Sequence, residues 1–164
     1  MDNRHSFEDE LTAMLPRLRR FAHALSRNGA DADDLTQATV ERALRSRAQW
    51  APETRLDSWL YRIMRNLWID TLRSRARRED LHAPVEEAET HGADPRSGLE
   101  AAIDLRKAMN AMQKLPDEQR EIVALILIEG FGYRECSEIL GLPIGTVSSR
   151  LVRGRNALLQ MMGE

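Results

Sequence analysis

The sequence predicts an all-α protein with two small helical domains joined by a flexible acidic linker. Apolar residues recur every three or four positions through most of the chain, and no alternation typical of a strand persists. Residues 79–98 interrupt this pattern with six acids, two prolines and two glycines against one arginine, a composition typical of a linker. The predicted domains are therefore residues 1–78 and 99–164.

The first predicted helix covers residues 7–25, where large apolar side chains repeat at helical spacing. Pro16 lies inside it and is expected to kink the helix or split it in two, because proline removes one backbone donor. Asn28-Gly29 is expected to end the helix, since both residues tolerate the left-handed conformation.

Two further helices complete the first predicted domain. Asp31 or Asp33 is expected to start the second helix, because acids stabilise the positive end of a helix dipole. A polar loop at residues 46–55 separates it from a third helix over residues 56–78. The predicted core stripe of the third helix consists of four aliphatic residues: Leu56, Leu60, Ile63 and Leu67.

The third helix is crowded with cations and aromatic rings outside that stripe. Residues 55–78 carry seven arginines against two aspartates, a net charge of +5. One predicted edge holds Trp59, Arg62, Asn66 and Arg73, and the other holds Tyr61, Arg65 and Trp68. Such a surface suits nucleic acid, because cations hold phosphates and flat rings stack on bases. The alternative is a solvated helix flanked by tryptophans that pack in the core.

Residues 130–155 have the pattern of a helix-turn-helix. Tyr133–Leu140 has helical spacing, Gly141-Leu142-Pro143 breaks it, and a second helix follows from about Ile144. The apolar stripe predicted for this second helix is Ile144, Val147, Leu151 and Leu158. Its opposite side carries Thr146, Ser149, Val152 and Arg153, flanked by Ser148 and Arg150. A small, cationic front of this kind suits the DNA major groove, whereas the alternative is an ordinary amphipathic helix.

Composition narrows the classes of function further. The chain has no apolar run of about 18 residues and no apolar stretch typical of a signal peptide, so a cytoplasmic protein without membrane insertion is expected. The four histidines and the lone Cys136 show no metal-ligand spacing, and Cys136 is expected to be buried. We expect neither a cofactor nor a metal nor catalytic residues, because no glycine-rich phosphate loop or nucleophile motif is present.

Three motifs in order resemble the extracytoplasmic-function group of bacterial RNA polymerase sigma factors. The second helix and its surroundings read DADDLTQATVERAL, and the third reads RLDSWLYRIMRNLWIDTLRSRARR. The helix-turn-helix and the segment before it read LPDEQREIVAL and FGYRECSEILGLPIGTVSSRLVRGR. These motifs resemble the family's docking helix, its promoter-melting helix and its duplex-reading helix, and the resemblance covers nearly the whole chain.

The resemblance implies a role for each motif in promoter-specific initiation. The second helix would bind core RNA polymerase through Asp34, Leu35, Gln37 and Glu41. The loop and third helix would bind the melted minus-ten element of promoter DNA through Trp50, Arg62, Arg65 and Asn66. The last helix would read the minus-thirty-five duplex through Thr146, Ser148, Ser149, Arg150, Val152 and Arg153. The acidic linker would follow a basic polymerase channel.

The resemblance also implies regulation. Family members are usually held by an anti-sigma factor, and the general-stress subgroup is one assignment that the sequence permits. We expect a monomer when the protein is free. Ala38 and Ser148 depart from the family pattern, which often has Glu and a cation at these positions. The first departure questions one polymerase contact, and the second places more of the duplex affinity on Arg150 and Arg153.

Two other classes of function explain the sequence less well than a sigma factor does. A conventional activator or repressor would explain the helix-turn-helix, but a duplex reader has no use for a second, aromatic and cationic surface on another domain. A dimeric repressor would also need half-site symmetry, whereas the chain predicts two unlike DNA surfaces. An enzyme is the least favoured class, because the acids of the linker are more simply a solvated run than a metal cluster.

Overall fold

The computed structural model describes residues 3–79 and 98–163. Within those residues all regular secondary structure is helical, and there are no strands. The all-α fold is therefore confirmed. The chain divides into two compact units between residues 88 and 89, and each unit is described by itself. Residues 80–97, which include nearly all of the predicted linker, lie outside the described residues, so the exact domain bounds stay a prediction.

The first unit is a three-helix assembly. Helix α1 covers Asn3–Ser26, α2 covers Gly29–Arg45, and α3 covers Leu56–Glu79, with a single 3-10 turn at Arg47–Gln49 between α2 and α3. Each of the three helices packs against the other two. Apolar side chains from all three helices fill the centre, and the buried ones include Phe7, Leu18, Phe21, Leu35, Ala43, Leu60 and Met64.

Two details of the first two helices differ from the expectations: α1 is one helix rather than two, and α2 starts at Gly29, with Asp31 as an acid in its first turn. Pro16 does not split α1, because Pro16 and Thr12 are both exposed and water can solvate the Thr12 carbonyl that the proline leaves without a helical donor. Neither predicted aspartate caps α2. Asn28 is the cap, and its side-chain oxygen accepts a hydrogen bond of 2.8 Å from the backbone N–H of Asp31.

Helix α3 is rotated relative to the predicted stripe. Tyr61, Met64 and Trp68 are buried, while Ile63 and Leu67 are only half-buried. The ring of Tyr61 meets the ring of Phe21 edge to face, with the centroids 4.8 Å apart. Leu56 and Leu60 of the predicted stripe are buried, so the prediction is confirmed for them. The rest of the buried face is shifted toward the rings of Tyr61 and Trp68, which a stripe chosen from aliphatic residues alone omitted.

A bidentate ion pair joins the start of α2 to the end of α3. Arg75 donates to both carboxylate oxygens of Asp31, one at 2.8 Å, and its guanidinium lies 5.5 Å from the centre of the Trp68 ring. The hydrogen bond from Arg75, and then the one from Asn28, outweigh burial and hold the pKa of Asp31 below its ordinary value.

The second unit contains the other helices. Helix α4 covers Leu99–Lys114 and α5 covers Asp117–Val123, which continues as a π-helical turn over Ala124–Ile128. Helix α6 covers Tyr133–Leu140 and α7 covers Ile144–Met162. Helix α7 is central, because α4, α5 and α6 all pack against it.

A buried arginine ties the start of α5 to the end of α4. Arg120 is almost completely buried and donates to the carbonyl of Leu115 at 2.8 Å and to the carboxylate of Asp117 at 2.5 Å. A charge this deep is tolerated only because its donors are satisfied. Ile122, Val123 and Leu125 of this segment are buried, whereas Leu127 of the π-helical turn is exposed.

Replacing Asp31 with Asn is expected to lower the free energy of unfolding by about 1–2 kcal/mol at neutral pH, because the Arg75 pair and a favourable acid at the helix N-terminus are both lost. The folded-state pKa of Asp31 is lowered, so this contribution is complete above the ordinary value of 3.8 and is lost as the pH falls through the folded value. Urea titrations of the two proteins should therefore converge as the pH falls below the folded-state pKa of Asp31. Asp33→Asn, an exposed position on the same helix, is the matched control, and an equal loss there would contradict the pair's role.

Candidate nucleic-acid interface

The turn between α6 and α7 has the geometry of a helix-turn-helix. Gly141 ends α6 in the left-handed conformation with φ of 66°, which glycine adopts without strain. The Ser137 hydroxyl donates to the carbonyl of Leu142, and the Glu135 carboxylate accepts from the backbone N–H of Gly132 at 3.4 Å. The first bond lies in the turn before α7 and the second caps the start of α6, and the predicted helix-turn-helix is confirmed.

Cys136 is completely buried behind this turn, as predicted. Burial, followed by the charge of Glu135, raises the pKa of its thiol to about 12. The thiol is therefore protonated at neutral pH and serves as a small apolar group. The described residues contain no cluster of His, Cys, Asp or Glu that could hold a metal ion.

The buried face of α7 differs from the predicted stripe at its ends. Val147 and Leu151 are buried as predicted, but Ile144 is 47% exposed and Leu158 is half-buried. Gly154 takes part in the buried face, because a Cβ there would lie 2.8 Å from Val123 of α5. A pattern of large side chains cannot identify a glycine at a close helix crossing, which is why the sequence stripe missed it.

The exposed face of α7 carries the residues predicted to meet duplex DNA. Ser149, Val152 and Arg153 are exposed on one side, and Thr146 and Ser148 are half-buried on its flanks. Asn156 is exposed one helical turn beyond Val152 and belongs to the same face, although the sequence reading omitted it. Local bonds are weak here: the Ser149 hydroxyl donates to the Thr146 carbonyl at 3.1 Å, and Arg153 Nε donates to the Ser149 carbonyl at 3.3 Å.

Arg150 does not share the exposed face of α7. Its side chain is 20% exposed and turns toward α5, where its guanidinium lies 3.5 Å from the carboxylate of Glu118. Glu118 is mostly exposed, so this pair is weak. The geometry therefore separates Arg150 from Arg153, although the sequence placed more of the duplex affinity on both residues.

Helix α3 presents a second polar surface. Trp59, Arg62, Asn66 and Arg73 lie on one side of the helix, opposite the buried rings, and Arg62 and Asn66 are exposed. Arg65 is half-buried on the other flank of α3. The structure therefore brings Arg62 and Asn66 together and separates them from Arg65.

An open cavity of about 140 Å³ lies beside Asn66 in the first unit. Its walls come from the end of α2, the 3-10 turn and α3. They consist of Arg42, Ser46, Gln49, Trp59, Ile63, Asn66, Leu67 and Asp70. The cavity is smaller than the roughly 300–1,000 Å³ of sites for drug-sized ligands, and its polar rim with one indole wall suits a single flat ring.

Trp50 does not line this cavity. Its ring lies 5.5 Å from the ring of Phe7, and its indole N–H is enclosed without a hydrogen-bond acceptor. Trp59, which the sequence suggested as a packing residue, is only half-buried and forms the cavity wall next to Asn66. Trp59 and Asn66 are thus neighbours, as the helical spacing predicted, whereas the family resemblance grouped Asn66 with Trp50.

Helix α2 exposes a third surface. Asp34, Gln37 and Glu41 are exposed and share one side of the helix, with Gln37 donating to Glu41 at 3.4 Å. Leu35 is 5% exposed and packs in the core beneath these exposed residues. An open groove of about 500 Å³ follows the same side. Its lining includes Asp34, Leu35 and Ala38 of α2 and Leu67, Asp70 and Arg78 of α3.

Comparisons with known proteins match each of the two units to a known family. Residues 11–78 match the Sigma-70 region 2 family, and residues 105–158 match the Sigma-70 region 4 family. The chain is 38% identical to the ECF RNA polymerase sigma factor EcfG of Rhodopseudomonas palustris, over 96% of this chain and 85% of that protein. The chain belongs to the extracytoplasmic-function sigma factors.

Other relatives support the same assignment. The RNA polymerase sigma factor CarQ of Myxococcus xanthus is 33% identical over 97% of this chain and 90% of its own length. Among solved structures, the sigma factor RpoE of Bartonella quintana in complex with the anti-sigma factor NepR superposes with a TM-score of 0.86, at 34% identity and 96% coverage of both chains. CnrH, solved with the cytosolic domain of CnrY, shares the fold with a TM-score of 0.69 at 22% identity.

Family membership gives this sigma factor its function. It binds core RNA polymerase and promoter DNA and directs transcription initiation, with region 2 in the first unit and region 4 in the second. None of the described helices combines the length and the hydropathy that crossing a bilayer requires.

Arg153→Ala and Arg150→Ala are expected to affect duplex binding differently. Loss of Arg153 should lower affinity for a minus-thirty-five duplex by about 1–3 kcal/mol and leave affinity for a scrambled duplex nearly unchanged, since a base contact is lost. Loss of Arg150 should lower affinity for both duplexes alike and by less, because at most one phosphate contact disappears. Fluorescence anisotropy with both duplexes measures this difference. Equal, sequence-dependent losses in the two variants would show that Arg150 also reads a base.

Proposed function

We propose that the three described surfaces divide the work of promoter recognition among α2, α3 and α7. Helix α2 docks on core polymerase, α3 and the 3-10 turn capture an unpaired base of the minus-ten element, and α7 reads the minus-thirty-five duplex. The observation that carries this proposal is the presence of two unlike DNA-facing surfaces on separate units, one with a ring-sized cavity and one with a smooth helix face.

The minus-ten assignment rests on the cavity beside Asn66. An amide side chain presents both a donor and an acceptor to a base edge, and the Trp59 ring offers a face or edge for stacking. Arg62, on the same side of α3, is placed for the phosphate that follows an extruded base. In this proposal Trp50 supports the loop, and Arg65 has only a peripheral phosphate contact.

The minus-thirty-five assignment rests on the exposed face of α7. Its residues are short except for Arg153, so the helix backbone can approach the groove floor closely. Residues 144–155 contain no acid, which removes a source of repulsion from the phosphates. Asn156 extends this face by one turn and joins Ser149, Val152 and Arg153 as a candidate contact.

The polymerase assignment rests on Asp34, Gln37 and Glu41 beside the groove of α2 and α3. An acidic rim around a partly apolar floor suits a partner helix that carries both cations and apolar side chains. Ala38 lies in the groove wall, where its small side chain leaves room for the partner.

Regulation by an anti-sigma factor is part of the proposal. Bartonella quintana RpoE was solved with NepR and CnrH with CnrY, so two relatives of this fold are held by such partners. Helix α4 exposes Leu99, Ile103, Leu105 and Met109, an apolar surface that a partner could cover. We place the protein in the cytoplasm as a monomer, because its partners are the polymerase and the chromosome. We assign it to a stress response, because the sigma factors EcfG and SigW are among its relatives.

The direct test of the function is transcription from genomic DNA by core RNA polymerase with and without the purified protein. Sequencing the transcript ends should reveal a new set of start sites that share two upstream elements. Start sites identical to those of core enzyme alone would contradict the role in initiation, and a single palindromic element would favour a duplex-binding regulator.

Trp59→Ala and Asn66→Ala are each expected to weaken binding of the holoenzyme to a single-stranded minus-ten oligonucleotide by about 1–3 kcal/mol, because a base loses its stacking or its hydrogen-bonding partner. Trp59→Phe, which keeps a flat ring, should retain most of the affinity. The measurement is titration of a labelled oligonucleotide, with duplex affinity as the control. A loss with Trp50→Ala and none with Trp59→Ala would instead support Trp50 as the base-stacking residue.

Glu41→Arg is expected to weaken core polymerase binding by about 1–3 kcal/mol, since it replaces an acid of the docking surface with a like charge for a basic partner. Asp9→Arg, an exposed charge reversal on α1, is the matched control and should bind core enzyme normally. Competition for core enzyme against the unchanged protein measures the effect, with circular dichroism to verify the fold. Normal binding by the Glu41 variant would refute the assignment of α2.

A further inference from the structure

Phe7 connects the start of α1 to Trp59, which lines the region 2 cavity, and to Arg47 and Trp50 beside the cavity residue Gln49. Its side chain is almost completely buried, with the Trp50 ring centre 5.5 Å away and the Trp59 ring centre 6.3 Å away. The guanidinium of Arg47 lies 4.9 Å from the centre of the Phe7 ring and 3.6 Å from the carboxylate of Glu8. The Phe7 ring therefore contacts the first residue of the 3-10 turn, the residue that follows the turn, and Trp59 of α3.

Two of these elements, the 3-10 turn and α3, also line the cavity. Gln49 belongs to the 3-10 turn, which Arg47 starts and Trp50 follows, while Trp59 and Asn66 belong to α3. None of the residues of the 3-10 turn is buried, so the turn has no core of its own to hold its position. Its contacts with Phe7 and Glu8 link it to α1 and fix its distance from α3.

We propose that Phe7 is a positioning residue that holds the two walls of the minus-ten cavity, Gln49 and Trp59, in place before DNA binds. This inference rests on the proposed base-capturing function of the cavity. Without the Phe7 ring the turn would sample several positions, and a base would have to order it on binding. That ordering lowers affinity without changing any group that contacts the base.

The size of the effect follows from the contacts that are lost. An aromatic pair contributes about 0.5–1.5 kcal/mol beyond its buried area, which corresponds to about 2- to 12-fold in affinity if that energy serves to order the turn. The loss should affect capture of an unpaired base and leave core polymerase binding unchanged, because Phe7 is absent from the groove of α2 and α3.

The chain offers a matched control for this test. Phe21 is also on α1, is equally buried, and meets Tyr61 edge to face, but it contacts neither Trp50 nor Trp59 at ring-pair distance. Phe7→Leu and Phe21→Leu therefore make the same chemical change at two buried positions of one helix. Thermal unfolding of both variants reports the general loss of stability that they share.

The experiment uses holoenzyme assembled from core polymerase and each variant, with a fluorescent single-stranded oligonucleotide of the non-template minus-ten sequence identified by transcript mapping. Phe7→Leu should weaken oligonucleotide binding by about 2- to 12-fold, whereas Phe21→Leu should stay within about twofold of the unchanged protein. Core binding should be unchanged in both.

Unchanged oligonucleotide affinity in Phe7→Leu, or an equal loss in Phe21→Leu, would overturn the positioning role. Trp59→Ala in the same assay distinguishes failure of the positioning role of Phe7 from failure of the proposed function of the cavity. If Trp59→Ala weakens binding and Phe7→Leu does not, the inference fails alone. If Trp59→Ala also binds normally, the proposed function of the cavity fails and the inference fails with it.

Discussion

Burial of Tyr61, Met64 and Trp68 determines how α3 is rotated, and the polar surfaces of the first unit follow from that rotation. Each unit has fewer than about 90 residues, so its core is small and a few large side chains dominate it. With these three residues turned inward, Asn66 and Arg62 must lie on the opposite side of the helix. The position of the polar side of α3 is therefore a consequence of core packing against α1 and α2.

The same constraint acts on α7 through much smaller residues. Val147, Leu151 and Gly154 form its buried face, and the missing side chain of Gly154 lets α7 approach α5 closely. This crossing leaves Ser149, Val152 and Arg153 outward and turns Arg150 toward Glu118. In both helices, close packing of the buried side fixes the rotation of the helix about its own axis. The polar residues on the opposite side are therefore exposed.

Sequence reasoning predicted the helices and motifs well because helical periodicity and turn residues are local signals. The helix-turn-helix, the burial of Cys136 and the three helices of the first unit needed no knowledge of distant contacts. The errors arose where long-range packing decides the outcome. A half-buried tryptophan can wall a cavity or fill a core, and only tertiary contacts distinguish Trp59 from Trp50. Likewise, Asn28 and Asp31 both suit a cap, and the reach of Arg75 from α3 decides the role of Asp31.

The number of arginines in residues 55–78 overstates how many are available to bind DNA, because some of them bind acids within the fold. Arg55 donates to Asp57 at 2.7 Å, and Arg75 donates to Asp31 at 2.8 Å, so at least these two of the seven arginines of residues 55–78 bind acids within the fold. Burial acts to raise the pKa of Asp57, but the hydrogen bonds from Arg55 and from the Ser58 N–H and the charge of Arg17 hold it below its usual value.

The arginines of α7 have a different pattern. Arg153 makes only a 3.3 Å bond to a backbone carbonyl of its own helix, and Arg150 makes only a 3.5 Å contact with a mostly exposed carboxylate. Such long contacts cost little to exchange for a phosphate or a base, whereas the short bidentate pair of Arg75 would be expensive to break. Short pairs with partly buried acids therefore identify the arginines that hold the fold. Long, exchangeable contacts on an exposed face identify those that are available to DNA.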